Sequence, residues 1–260
     1  MALSGGDSAD SIERFTNRVG AYRKFRPQYP IAVLHLLQKH CGLTAGSVIA
    51  DIGAGTGLLA ELFLANGNSV LAVEPNRAMR SACEELRSQY PKLTCIDGSA
   101  EATTLPEHCA DFVTVGQALH WFQLSRTRAE FVRILRTEGW CAIVYNNRRY
   151  AGDILHDGYE RLLCEFGVDY QQVRGRYIDN NALAEFFAPA LMHQTYFHNQ
   201  QVFGLEEMVG RILSSSYMPQ PDHPRYPAML RRVEELFSRC QKDGHVQMEY
   251  DCVVTYGKLA

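Results

Sequence analysis

The chain has 260 residues, of which 46% are hydrophobic and 21% charged, with 26 Lys and Arg against 29 Asp and Glu for a formal net charge of −3. This is the composition of a folded globular protein, and it lacks the basic excess of a dedicated nucleic-acid binder. The amino terminus shows no basic start followed by an apolar run, and no apolar stretch reaches the roughly 20 residues needed to span a bilayer, so the expectation is a cytoplasmic protein without a membrane partner.

In chain order, Pro30 to Cys41 places Val33, Leu34, Leu36 and Leu37 at helical spacing and stops at Gly42. Ser47 to Ile52 is a short apolar run entering a glycine cluster, which predicts a buried strand feeding a tight turn. Leu58 to Asn66 reads as a helix, Ser69 to Val73 as a strand, Arg77 to Tyr90 as a helix and Leu93 to Ile96 as a strand. A fourth strand at Asp111 to Val115, a helix at Arg126 to Leu135 and a fifth strand at Trp140 to Tyr145 continue the alternation. Strands alternating with helices predict βαβ units around a parallel sheet covered on both faces.

The alternation breaks after Tyr145. Residues 147–192 read as a helical insertion, followed by strands at Gln194 to Phe203 and Val246 to Gly257 with helices at Leu205 to Ser214 and Pro227 to Gln241 between them. The expected fold is therefore a doubly wound α/β domain, with a mostly parallel seven-stranded sheet, an antiparallel last strand and a helical lid. The expected parts are an N-terminal helical lid (1–45), a ligand-binding core (46–146), the insertion over the strand ends (147–192) and the C-terminal part of the sheet (193–260).

The strongest motif is Asp51-Ile52-Gly53-Ala54-Gly55-Thr56-Gly57, set between a strand and a helix. Alternate glycines let the backbone turn sharply and let a ligand pack against main-chain atoms. A dinucleotide fold would carry G-x-G-x-x-G, but the sixth position is Leu58, so a ligand without a pyrophosphate is expected. The next strand ends at Glu74, about 20 residues on, where a carboxylate accepts hydrogen bonds from ribose hydroxyls. Met79, a helical turn later, either underlies a base or packs in the core.

The eight cysteines are scattered without a C-x-x-C pair, and the nine histidines show no H-E-x-x-H spacing. Reduced thiols and no metal site are the expectation. Neither a G-x-S-x-G elbow nor a Walker lysine is present.

From Val48 to about Tyr145 the chain resembles the class I methyltransferases dependent on S-adenosylmethionine (SAM), a Rossmann-like family. The resemblance rests on the glycine run, Glu74, Gly98-Ser99-Ala100-Glu101 before Leu105-Pro106, Asp111-Phe-Val-Thr-Val, and Leu135-Arg-Thr-Glu-Gly139. Tyr22-Arg-Lys-Phe-Arg26-Pro27-Gln-Tyr29-Pro30 and Gln117-Ala-Leu-His120-Trp121-Phe122 look like the small-molecule branch containing the trans-aconitate methyltransferases. Ser99 stands where many relatives have Asp, and Thr137-Glu138-Gly139-Trp140 where many have Pro-Gly-Gly.

The resemblance implies SAM as cofactor. Asp51 would hold its amino group, Gly53, Ala54, Gly55 and Gly57 would form the turn along its methionine half, and Glu74 and Pro75 would meet the ribose. Met79, Ser99 and Ala100 would meet the adenine, and Gln117 and Ala118 the methionine portion. Tyr22 would cover the methionine end and Arg26 pair with its carboxylate. His120, after the fourth strand, is either part of a packed aromatic turn or the catalytic base.

The expected acceptor is a small anionic molecule, such as a carboxylic acid methylated on oxygen, with Trp121, Arg148, Arg149, Arg174, Arg176 and Arg211 as candidate contacts. A nicotinamide-dependent oxidoreductase, a SAM-binding regulator without chemistry, and RNA or protein methylation are the rival readings. The oligomeric state is not legible.

Overall fold

The computed structural model describes residues 18–174 and 178–259. Its centre is a seven-stranded sheet in the order β3-β2-β1-β4-β5-β7-β6. These strands are β1 (Val48–Ile52), β2 (Ser69–Val73), β3 (Leu93–Ile96), β4 (Ala110–Gly116), β5 (Leu135–Arg148), β6 (His193–Phe203) and β7 (Val246–Gly257). The first five pair in parallel, and β7 runs antiparallel to both β5 and β6. After β3 the chain crosses back to place β4 on the other side of β1. The strand order therefore reverses between β1 and β4, and at such a point the loops beyond the strand ends part to leave a crevice.

The helices are α1 (Val19–Phe25), α2 (Ala32–Cys41), α3 (Leu58–Ala65), α4 (Arg77–Glu84), α5 (Leu124–Ile134), α6 (Ile154–Phe166), α7 (Tyr170–Arg174), α8 (Asn180–Phe187), α9 (Leu205–Leu213) and α10 (Tyr226–Cys240). Local chemistry explains their ends. Gly42, at φ 70°, closes α2 in the left-handed conformation, and the side chain of Asn76 caps α4 by accepting from the Met79 amide at 3.0 Å. Asp153 and Asp179 cap α6 and α8 in the same way.

Two boundaries differ from the sequence expectation. The helix expected over Arg77 to Tyr90 ends at Glu84 and tightens into a 3-10 turn, Glu85–Ser88. The strand expected over Trp140 to Tyr145 is the middle of a 14-residue β5. Its outer part, out to Arg148 opposite Tyr250, is extended because β7 pairs with it there, and an apolar run does not report such pairing.

The two faces of the sheet bury separate apolar clusters. One is centred on Leu37, Ile49, Phe63 and Val254, the other on Ile52, Val113, Phe131 and Ile143. A third cluster lies over the strand ends, where Tyr159 and Leu163 of α6 meet Met208 of α9, Met229 and Val233 of α10, and Tyr250 of β7. Of the 147–192 stretch, α6 and α7 thus share a core with the helices between β6 and β7, whereas α8 packs Leu183, Phe186 and Phe187 into the second cluster. Among the described residues no helix is long and apolar enough to cross a membrane.

The amino-terminal helix α1 docks on α9. The contact depends on Gly210, since a Cβ there would stand 2.2 Å from the Phe25 ring. Gly210→Ala should displace α1 and cost about 1–3 kcal/mol, read as a lower urea midpoint at unchanged m-value.

Candidate cofactor and acceptor site

The crevice is built on the glycine turn after β1. Gly53, Gly55 and Gly57 sit at φ 68°, 58° and 86°, all left-handed. Gly53 is also fixed by space, because a Cβ would stand 2.9 Å from both the Ala118 Cβ and the Phe122 ring. The amides of Gly53 and Ala54 donate to the Val73 carbonyl at 2.9 and 3.1 Å, which holds the turn against the end of β2.

Glu74 joins the two loops. The Gly55 amide donates to its Oε2 and the Asn76 amide to its Oε1, each at 2.8 Å. Burial pushes its carboxyl pKa up, while those two amides and Arg80 pull it down. Each oxygen keeps a second lone pair for a hydroxyl donor.

Asp51, at the end of β1, is fully buried. Its Oδ1 accepts from the Thr114 hydroxyl at 2.9 Å, and its Oδ2 has no partner among the described residues. Burial pushes its pKa up to about 7, with the Thr114 hydroxyl opposing the shift.

Gly53, Gly55, Glu74, Pro75, Met79, Gln117 and Ala118 line one cleft together with Tyr22 and Trp121. Sequence reasoning missed Asn76, Gly116 and Phe122 in its wall. Asn76 carried the helix-capping signal, and the other two adjoin or belong to the Gln117 to Phe122 segment. Gln117 has φ 57°, and its Nε2 donates to the Asn146 carbonyl at 2.8 Å.

A second cavity continues from the first, sharing Tyr22, Gln117 and Trp121. Arg26, His120, Arg148 and Arg211 line it, with Tyr29, Tyr145, Tyr170 and Tyr217. Tyr145, Tyr170 and Tyr217 had no sequence signal, whereas Tyr29 falls within the Tyr22 to Pro30 segment. The Tyr145 hydroxyl lies 3.2 Å from His120 Nδ1 and accepts from the His120 amide at 3.3 Å.

Other expected residues lie elsewhere. Ser99 forms a bridge with Ala102, its amide donating to the Ala102 carbonyl at 3.1 Å, and Ala100 packs in the core. Neither is among the residues lining the two spaces, and nor are Asp51, Ala54 and Gly57. Gly57 instead faces α4, where a Cβ would stand 2.8 Å from Cys83 Sγ. Arg149 is exposed and pairs with Asp251 at 2.9 Å, outside the second cavity. Arg174 ends α7, and Arg176 lies outside the described residues. Among the described residues no group of His, Cys, Asp and Glu could hold a metal.

This arrangement defines a doubly wound α/β protein with a ligand crevice at the reversal of strand order and a second cavity beside it. The model of a family described as a methyltransferase domain matches residues 50–143. An uncharacterised methyltransferase of Mycobacterium tuberculosis is 33% identical over 225 residues, covering 86% of this chain and 85% of the relative. An uncharacterised methyltransferase-like protein of Schizosaccharomyces pombe is 30% identical over 138 residues, 53% of each chain. A solved protein of Anaeromyxobacter dehalogenans, named for a type II methyltransferase, shares the fold with a TM-score of 0.67 at 20% identity, over 90% of this chain and 98% of that one.

The chain belongs to the class I SAM-dependent methyltransferases. The nicotinamide-dependent reading is thereby set aside. The residues present fit SAM, because the partnerless Asp51 Oδ2 is a buried acceptor for a cationic donor and Gly53 and Gly55 present bare main chain to the cleft.

Because the folded pKa of Asp51 lies above its ordinary 3.8, the native state holds a proton that the unfolded chain has released. Stability therefore falls as pH rises from about 4 to about 7 and stays low above that window. Without cofactor, Asp51→Asn should be more stable than the parent at about pH 8, by on the order of 2–4 kcal/mol. Urea titrations across pH should show the gap closing toward pH 4.

Proposed function

We propose that the protein transfers the methyl group of SAM to a small organic acid, on a carboxylate oxygen. The observation that carries this reading is the second cavity, which shares Tyr22, Gln117 and Trp121 with the cofactor cleft and is lined by three arginines. Guanidinium forks suit carboxylates.

In this reading Asp51 holds the amino group of the cofactor and Glu74 its ribose. Gly53 and Gly55 of the turn carry the methionine half, with the main chain of Gln117 and Ala118 opposite. Pro75 and Met79 flank the nucleoside. SAM bound there supplies an electrophilic methyl group on a sulfonium.

The chain's own task is to place the acceptor in line and keep water out, so its contribution is positional. Tyr22 and Trp121 stand where the two spaces meet and would orient the acceptor there. A carboxylate nucleophile arrives already charged and needs no base. The His120–Tyr145 contact favours a second reading, in which a hydroxyl acceptor gives its proton to His120 while the tyrosine fixes the ring.

Two measurements test the proposal. Glu74→Ala should lose about 1.5–3 kcal/mol of SAM affinity, about tenfold to a hundredfold by calorimetry. A screen of organic acids, phenols and amines should release S-adenosylhomocysteine with acids. Turnover with neutral or cationic acceptors alone would exclude an acidic acceptor and leave the cofactor assignment standing.

A further inference from the structure

Three arginines line the acceptor cavity, and they are not equivalent. Arg148 pairs with Glu160 at 2.5 Å, and Tyr170 donates to the same carboxylate at 2.7 Å. Its charge is compensated within the protein. Arg211 is buried, yet its contacts are neutral, with Nε donating to the Tyr250 hydroxyl at 3.3 Å and Nη1 to Ser215 Oγ at 3.4 Å. Arg26 donates from Nη2 to the Ser214 carbonyl at 2.9 Å, and its enclosed Nε has no partner among the described residues.

The two guanidinium groups are thus tethered to the adjacent residues Ser214 and Ser215. The Phe25–Gly210 contact brings them there, because Arg26 follows Phe25 and Arg211 follows Gly210. Neither has a carboxylate partner among the described residues, and each feels the same tyrosines, Tyr159 and Tyr217. The Tyr159 hydroxyl is itself buried without a partner among the described residues. Two neighbouring buried cations without a carboxylate partner among the described residues are costly unless an anion completes them.

Neither arginine is among the residues shared with the cofactor cleft, where Tyr22, Gln117 and Trp121 form the junction. We infer that Arg26 and Arg211 form an anion subsite that anchors a carboxylate of the acceptor, separate from the atom that is methylated. The acceptor is then bifunctional, with an anchoring carboxylate held on the two guanidinium groups and a second nucleophilic group reaching the junction beside His120. Arg26 thereby serves the acceptor instead of the methionine carboxylate expected from the sequence. This inference rests on the methyltransferase reading for the identity of the second group, but the anion subsite is testable without it.

The probe is succinate, titrated into the full chain loaded with S-adenosylhomocysteine. Succinate should bind the parent by calorimetry and raise its unfolding temperature by about 2–4 °C. Arg211→Gln and Arg26→Gln should each weaken succinate about tenfold or more and keep the affinity for S-adenosylhomocysteine. Without succinate, each should unfold no lower than the parent, since each removes an uncompensated charge; a purely structural arginine would give the opposite. If one variant fails to fold, the other decides.

A co-crystal structure should show a succinate carboxylate on both guanidinium groups. The inference is overturned if succinate does not bind the parent, if both variants bind it like the parent, or if it sits only between Gln117 and His120. Failure to bind S-adenosylhomocysteine, with succinate still bound, would instead overturn the methyltransferase reading.

Discussion

The carboxylate of Glu74 ties together the loops on which the crevice depends. One oxygen takes the amide of Gly55 from the turn after β1, and the other takes the amide of Asn76 at the start of α4. Amides at such sharp turns have no partners in the sheet, and an unmet buried amide costs about 1–3 kcal/mol. One side chain satisfies both and sets the spacing of the two loops. Arg80 closes the assembly from α4 by donating to the Glu74 carbonyl at 2.6 Å.

The reversal of strand order between β1 and β4 supplies the rest of the crevice. Because β4 returns beside β1, the segment after β4 faces the glycine turn, and Ala118 and Phe122 approach Gly53 closely enough that no Cβ fits. The same proximity lets Thr114 of β4 donate to Asp51 of β1 while leaving the other carboxylate oxygen without a partner among the described residues. The buried acceptor and the bare backbone are consequences of one topological feature.

The acceptor cavity follows a different logic. Its walls come from α1, β5, α7, α9 and the residues after α9, elements far apart in the chain, of which the third apolar cluster gathers α7 and α9. Charge within it is distributed unevenly, since Glu160 answers Arg148 while only neutral groups answer Arg26 and Arg211.

Local signals were enough to read much of this protein from its residues. Short apolar runs between helical periods gave the strands β1 to β4 in place, and the D-x-G-x-G-x-G run with Glu74 pointed to residues that line one cleft, because both depend on neighbours within about 25 residues. The length of β5 was not legible, because its outer half is extended only by pairing with β7, about 100 residues later in the chain. Nor could the sequence sort its arginines. Arg148, Arg149 and Arg211 are alike as residues, but one is paired and buried, one is paired at the surface, and one is buried without a carboxylate partner among the described residues. Burial and ion pairing are properties of packed neighbours distant in the chain, so only the tertiary structure could decide which guanidinium group is buried without a carboxylate partner among the described residues.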